Sequence, residues 1–178
     1  MRHLHIEGKE IVVDERNYLS MLLTLAQATF NLAALYHNLH QSGLPDWKGT
    51  LQVLEVRQGD LNHALIDQID DKELHDAFCI LTNLLGKIKE ENENLLQWLV
   101  EYVGLSSIRT KHDKAQFERR LKKIISGANK QSQGPVWVLQ SDYQTLLGRS
   151  EKVVDNMSKI KLKIDQKIHF LLKNLSGD

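Results

Sequence analysis

The sequence predicts a mainly α-helical protein, an elongated bundle of four to five helices with long antiparallel helices and a small N-terminal β-hairpin. Three observations predict this class. A stretch from Lys72 to Gly104 keeps a 4-3 heptad spacing, and a second stretch from Ser141 to Leu175 keeps a similar one. β-branched residues flank a short turn only near the start of the chain. With 178 residues, 42% of them apolar and 26% charged, the chain is long enough to bury a core as one soluble domain.

We treat residues 1–178 as a single helical-bundle domain in three parts: a hairpin over 1–13, an acidic helical half over 14–105 and a basic helical half over 106–178. The acidic part up to Leu105 has 16 acidic and 8 basic residues, whereas the remainder has 15 basic and 7 acidic residues. The two halves are therefore oppositely charged, although the whole chain is neutral. Either they attract one another within the fold, or the basic half binds an acidic partner.

The hairpin is predicted over Arg2 to Val13, with the turn at Glu7-Gly8-Lys9 between two apolar runs. Because two strands alone are marginal in water, the hairpin must pack on the helices or gain a third strand, which Val136–Leu139 could supply. His3 and His5 share a strand face, a weak metal-site pattern that is more typical of solvated histidines.

The first helix is predicted from the N-cap Asp14 to about Gln41. It has no charged residue between Asn17 and Tyr36, yet we predict no membrane span because four polar residues form a stripe along it. This stripe either faces solvent, forms an internal hydrogen-bond network or lines a cavity; its members are Ser20, Thr24, Gln27 and Asn31.

The next helix is predicted over about 50–69. Together with the end of the first helix, it could form a metal site. Carboxylate and imidazole ligands on adjacent helices are how bundle metal sites are built. The candidate ligands are His37, His40, Asp60 and His63. The Glu-x-x-His pair of such sites is missing, so a helical-bundle metal enzyme is the second alternative function rather than the first.

The long helix is predicted from Lys72 to Gly104, with acidic residues at its first turn and glycine at its end. One polar residue, Asn92, interrupts an apolar seam that is otherwise continuous: Leu74, Phe78, Leu81, Leu85, Ile88, Leu95, Leu99 and Tyr102. A lone asparagine in such a seam fixes register or partner choice at a cost in stability. We therefore assign Asn92 to seam specificity.

A basic amphipathic helix is predicted within Ser106 to Lys130, with its core residues at Phe117, Leu121, Ile124 and Ile125. Its cations are the candidate residues for binding a partner or nucleic acid: Arg109, Lys111, Lys114, Arg119, Arg120, Lys122, Lys123 and Lys130. Phe117 is the only Phe, Trp or Tyr in this segment, and its spacing assigns it to the core, so no aromatic side chain lies between the cations to stack on bases. We therefore favour neutralisation of the acidic stretch 67–76, within the fold or across a protein interface, over nucleic-acid binding.

The last helix is predicted from Ser141 to Leu175, opening on Ser141 and Gln144 in capping-box spacing. Its seam is Tyr143, Leu147, Val154, Met157, Ile164, Ile168, Leu171 and Leu175, with polar positions at Ser150 and Lys161. It is the expected antiparallel mate of the long helix.

No phosphate-binding loop, nucleophile elbow or paired-cysteine zinc motif occurs in the sequence, and we predict neither cofactor nor catalysis. The single cysteine, Cys79, and the absence of a signal-peptide pattern favour a cytoplasmic setting. The predicted function is a non-enzymatic binding or assembly module, an adaptor, chaperone-like protein or complex subunit, that recognises a protein partner or a second copy through helix faces. A nucleic-acid-binding subunit that uses residues 109–130 is the first alternative.

Overall fold

The hairpin and four of the five helices predicted from the sequence are present in the computed structural model, which describes residues 1–38, 64–126 and 135–176. Within these ranges, two strands, β1 (Arg2–Ile6) and β2 (Lys9–Val13), precede four α-helices with described bounds. The helices are α1 (Glu15–Asn38), α2 (Lys72–Trp98), α3 (Lys111–Ser126) and α4 (Pro135–Ser176). The prediction of a mainly α-helical bundle with an N-terminal hairpin is confirmed. Most of the helix predicted over 50–69 lies outside the described residues.

The hairpin turn is made by Glu7 and Gly8, both of which have positive φ, 52° and 77°. This pair of dihedrals matches the right-handed twist of an antiparallel ribbon, and the two strands pair with Arg2 opposite Val13. Leu4 on β1 is 1% exposed and joins the helical core. The hairpin is therefore anchored to the bundle by an apolar side chain.

The prediction that Val136–Leu139 adds a third strand is wrong, because these residues begin α4. Gln68 instead meets the edge of β1. Its Oε1 accepts from the His5 N–H at 2.7 Å, and its Nε2 donates to the His5 carbonyl at 2.8 Å. One amide side chain thus supplies both hydrogen bonds that a neighbouring strand would give at this residue.

Asp14 caps α1 as predicted: its Oδ1 accepts from the Asn17 N–H at 2.7 Å. Asp71 caps α2 in the same way, accepting from the Leu74 N–H at 3.0 Å. After Trp98 the helix continues in a π-helical turn, Leu99–Val103, and ends at Gly104. The φ of Gly104 is 96°, a left-handed conformation that favours glycine. The predicted start and end of the long helix are confirmed.

The α2 seam is buried as predicted except at Leu85, which is partly buried, and at its end. Tyr102 is 52% exposed, whereas Val103 is 1% exposed. The π turn has one more residue than an α-helical turn, so it rotates the seam by one position and places Val103 where Tyr102 was expected.

Several details of the later helices differ from prediction. Ser141 does not cap α4, which begins six residues earlier at Pro135, a favoured first residue of a helix. Val153 rather than Val154 is buried, Leu147 and Leu171 are only partly buried, and Leu175 is 38% exposed beyond the packed part of the bundle. On α3, Phe117, Leu121 and Ile124 are buried as predicted, but Ile125 is 37% exposed.

Helices α2 and α4 form a long antiparallel pair. Lys167 near the end of α4 binds Glu73 at the start of α2, with Nζ 3.0 Å from Oε2. At the opposite end, the Tyr143 and Trp98 ring centroids are 5.8 Å apart. The pair is therefore aligned over most of its length, roughly 40 Å at 1.5 Å per residue of α2.

The two shorter helices pack on opposite ends of this pair. Helix α1 contacts α2 and α4 in one apolar cluster that also contains Leu4, Phe78 and Met157. Helix α3 contacts α4 and the π turn in a second cluster that contains Phe117, Leu99 and Tyr143. The bundle thus has two cores in series along one helix pair.

Candidate functional site

A polar layer separates the two cores. On α2, Asn92 lies between Ile88 of the first cluster and Leu95 of the second. On α4, Ser150 lies between the residues of the same two clusters. Both side chains are 0% exposed.

The atoms of this layer are unequally satisfied. Ser150 Oγ is 2.7 Å from His37 Nδ1 at the end of α1. Neither amide atom of Asn92 has a hydrogen-bond partner within the described ranges. A serine beside a histidine suggests a nucleophile and base, but full burial of Ser150 keeps substrates away from its hydroxyl. The layer therefore has a structural role, and Asn92 lies in the seam where the sequence predicted it.

The predicted metal ligands are only partly described. His37 contacts Ser150, while His40, Asp60 and His63 lie outside the described residues. In residues 1–38, 64–126 and 135–176, no three His, Cys, Asp or Glu side chains are grouped closely enough to hold a metal ion. His3 pairs with Glu10 across the hairpin at 2.7 Å.

The polar stripe of α1 faces solvent. Ser20, Thr24, Gln27 and Asn31 are all exposed, and two hydrogen bonds within the helix join them in pairs. Thr24 Oγ1 donates to the Ser20 carbonyl at 3.1 Å, and Gln27 Nε2 donates to Asn31 Oδ1 at 2.8 Å. Of the three alternatives for this stripe, the internal network is wrong and the solvent-facing one is confirmed.

The stripe also forms one wall of an open groove of about 410 Å³. Its other wall is α4, where Lys161 and Asp165 form an ion pair of 2.7 Å and His169 Nδ1 lies 2.6 Å from the Asp165 carbonyl. The lining residues from α1 are Leu23, Thr24, Gln27, Ala28 and Asn31. The charges on the α4 wall neutralise each other, so the groove is close to neutral along both sides.

Helix α1 is also the one helix in the described part of the chain that is long and apolar enough to cross a membrane. In its most apolar window, 44% of the residues are buried inside the bundle. A core helix passes the same test of length and composition, so this feature is weak evidence for a membrane span.

Six of the basic residues predicted as a binding site lie on α3 and Arg109 lies just before it, at the end of the bundle away from the acidic stretch 67–76. All seven that are described are exposed; Lys130 lies outside the described residues. Arg120 Nη1 donates to the Val103 carbonyl at 3.2 Å, and Arg109 Nη1 donates to the Ser106 and Ile108 carbonyls at 3.1 Å. These two arginines are directed back onto the fold, which leaves a solvent-facing set that we call the α3 basic face: Lys111, Lys114, Arg119, Lys122 and Lys123.

The Asp113 carboxylate is directed at the backbone where α3 begins, and within the described residues it forms no ion pair with the α3 basic face. Oδ2 accepts from the N–H groups of Arg109 and Thr110 at 3.0 and 3.1 Å, and these bonds hold the pKa of Asp113 below its usual value. The Asp113 N–H donates in return to Thr110 Oγ1 at 3.2 Å. Thr110 and Asp113 form a reciprocal cap whose spacing is visible in the sequence.

Three acids of the stretch 67–76, namely Asp70, Asp71 and Glu73, are bound by cations from β1 and α4. Arg2 from β1 binds Asp70 at 2.9 Å and Glu15 at 2.7 Å, and Lys167 from α4 binds Asp71 and Glu73. The prediction that α3 neutralises this stretch within the fold is therefore wrong. The oppositely charged halves do meet, but through Lys167 on α4.

A second cavity, of about 320 Å³, lies where the hairpin meets the bundle. Arg2 stands over the Tyr18 ring at 4.1 Å, and its hydrogen bond to Glu15 raises the pKa of its guanidinium. The Arg2 hydrogen bond lowers the pKa of Asp70, and burial raises the pKa of Tyr18. These contacts satisfy the charges that line the cavity, and they hold the hairpin in place.

Comparison with known proteins adds no family to this geometry. No protein-family model matches the chain, and no curated protein or solved structure is significantly similar to it.

Proposed function

We propose that the protein is a non-enzymatic assembly module that recognises a protein partner through the outward face of α1. The observation that carries this proposal is the lack of charge on an exposed helix face. No charged residue occurs from Asn17 to Tyr36, although Ser20, Thr24, Gln27 and Asn31 are exposed and Leu35 is 51% exposed.

An uncharged surface of this length is unusual for a helix that meets only water. On an exposed protein surface, about a quarter to a third of the residues are normally charged. The centres of protein interfaces are depleted of charge, because burying a charge without a partner is costly. Over 20 residues, roughly 30 Å of helix, a partner can cover α1 without desolvating any charge.

The shape of the face supports a helix as the partner. Small residues recur every fourth position at Ser20, Thr24 and Ala28, so a second backbone can approach closely. Ala28 and Leu23 lie in the groove beside α4, and the exposed Leu35 continues the α1 face toward its end. We also propose that the module acts in the cytoplasm, in keeping with its single cysteine.

The test is site-specific photo-crosslinking in cells that produce the protein. A photoreactive residue is placed at Gln27 and, in a matched control, at Gln144, an exposed glutamine on the other half of α4. We expect a discrete crosslinked product from position 27, identified by mass spectrometry as a second copy or as another protein, and none from position 144.

A charge inserted in the face should remove that product. Gln27→Lys is expected to abolish crosslinking from a probe at Asn31, whereas Gln144→Lys should leave that crosslinking unchanged. Both variants should keep the melting temperature of the unsubstituted protein. Equal products from positions 27 and 144, or no product from either, would argue against the proposal.

A further inference from the structure

We propose that the α3 basic face is a second binding surface, and that it binds the phosphate backbone of duplex nucleic acid without sequence preference. Helix α3 has six Lys and Arg residues against Asp113 and Glu118. In the described part of the chain, none of the five residues of the basic face takes part in an ion pair.

The placement of α3 makes these charges available. The apolar side of α3 packs against the bundle through Phe117, Leu121 and Ile124. Its capping carboxylate, Asp113, accepts hydrogen bonds from backbone N–H groups. The acidic residues Asp70, Asp71 and Glu73 lie at the hairpin end of the bundle, away from α3, where Arg2 and Lys167 bind them. Positive charge at the α3 end of the bundle therefore faces water.

The side chains are spaced to follow a charged backbone. Lys111 and Lys122 are eleven residues apart, close to three full turns, so they lie on one line about 16 Å long. Arg119 is one turn before Lys122, and the three fall within about 80° of each other around the helix axis. Lys114 and Lys123 lie on either side of that line.

The chemistry of the face favours nucleic acid over an acidic protein. Protein interfaces are built around aromatic or apolar anchors and are depleted of lysine, whereas this face has lysine at four of its five positions. Lysine and arginine without base-reading or stacking side chains are typical of contacts to phosphates. No exposed aromatic residue occurs on α3, which favours a duplex over a single strand with unstacked bases.

The experiment measures binding of the full chain to a fluorescent 20-base-pair DNA duplex at several salt concentrations. We expect micromolar affinity at low salt and a log–log salt slope on the order of −3 to −4.5, about 0.9 per phosphate neutralised. Two duplexes of different sequence should bind equally. The triple variant Lys111→Gln, Arg119→Gln, Lys122→Gln should lose about tenfold or more in affinity with an unchanged melting temperature.

The matched control removes the same charge elsewhere: Lys152→Gln, Lys163→Gln, Lys173→Gln, all exposed on α4. It should retain most of the affinity. Equal losses in both triple variants would show that only total charge matters and would overturn the assignment to α3. Tighter binding to a polyglutamate peptide or to anionic vesicles than to the duplex, or no duplex binding at 50 mM salt, would overturn it as well.

Discussion

His37 and Ser150 join the end of α1 to the middle of α4, with Nδ1 2.7 Å from Oγ. Because Ser150 is fully buried, water does not replace its hydroxyl as the hydrogen-bond partner of His37. We expect Ser150→Ala to lower the free energy of unfolding by about 1 kcal/mol, measured by urea denaturation. Ser158→Ala, at an exposed position on the same helix, should change stability by less than about 0.5 kcal/mol. Equal effects of the two substitutions would remove the structural role of this contact.

Asn92 lies in the same polar layer, but its amide is not satisfied by any described residue. Burial of an unsatisfied amide costs on the order of 1–3 kcal/mol, so we expect Asn92→Leu to raise the melting temperature by several degrees. The exposed control Asn94→Leu should leave it nearly unchanged. We also expect Asn92→Leu to broaden the range of oligomers or partners detected by native mass spectrometry, since a lone seam asparagine specifies pairing. A lower melting temperature would show that the amide is hydrogen-bonded in solution.

Local patterns in the sequence were sufficient to predict the hairpin, the cap Asp14, the acidic first turn of the long helix and its end at Gly104. They failed where the pattern was short or the geometry irregular. A four-residue apolar run at Val136–Leu139 fits a strand as well as a helix, and the preceding Pro135 was the signal that favoured a helix start. The exposure of Tyr102 follows from a π turn, which heptad spacing does not indicate.

Charge was harder to predict than secondary structure. The residue counts show that the two halves have net charges of opposite sign. Which residues form ion pairs depends on which ends of the helices lie together. Lys167 and Arg2 reach the acidic stretch because α4 is antiparallel to α2 and the hairpin folds onto their shared end. No pattern in the sequence indicates at which end of the bundle α3 lies, and the exposed face of α1 is defined by which of its residues pack against α2 and α4.

The Arg2–Asp70 pair predicts a pH-dependent contribution to stability. The Arg2 hydrogen bond lowers the pKa of Asp70 from 3.8, so this carboxylate stabilises the fold above that pH and loses its contribution as pH falls through the lower folded-state pKa. Asp70 is 68% exposed, so we expect Asp70→Asn to cost only about 0.5 kcal/mol at pH 7.

The cost of Asp70→Asn should shrink below about pH 3.8 and also in high salt, measured by urea denaturation across pH. Asp67→Asn, at a nearby exposed position, is the control. A cost that stays constant down to pH 2 would mean that the pair does not act through the charge of Asp70.

Two glycines should respond oppositely to the same substitution. Gly104 ends the long helix with φ of 96°, and an added Cβ would lie 3.3 Å from Arg120 Nη1. Gly104→Ala therefore forces a strained backbone and disturbs the Arg120 bond to the Val103 carbonyl, and we expect it to lower the free energy of unfolding by about 1–2 kcal/mol. Gly148 lies inside α4, where an added Cβ meets nothing within 4 Å, so Gly148→Ala should raise stability by up to about 1 kcal/mol. Thermal and urea denaturation of both variants, with circular dichroism to verify helix content, measures the two shifts. A stabilising Gly104→Ala would mean that α2 runs on into α3 without the left-handed break that turns the basic helix back onto the bundle.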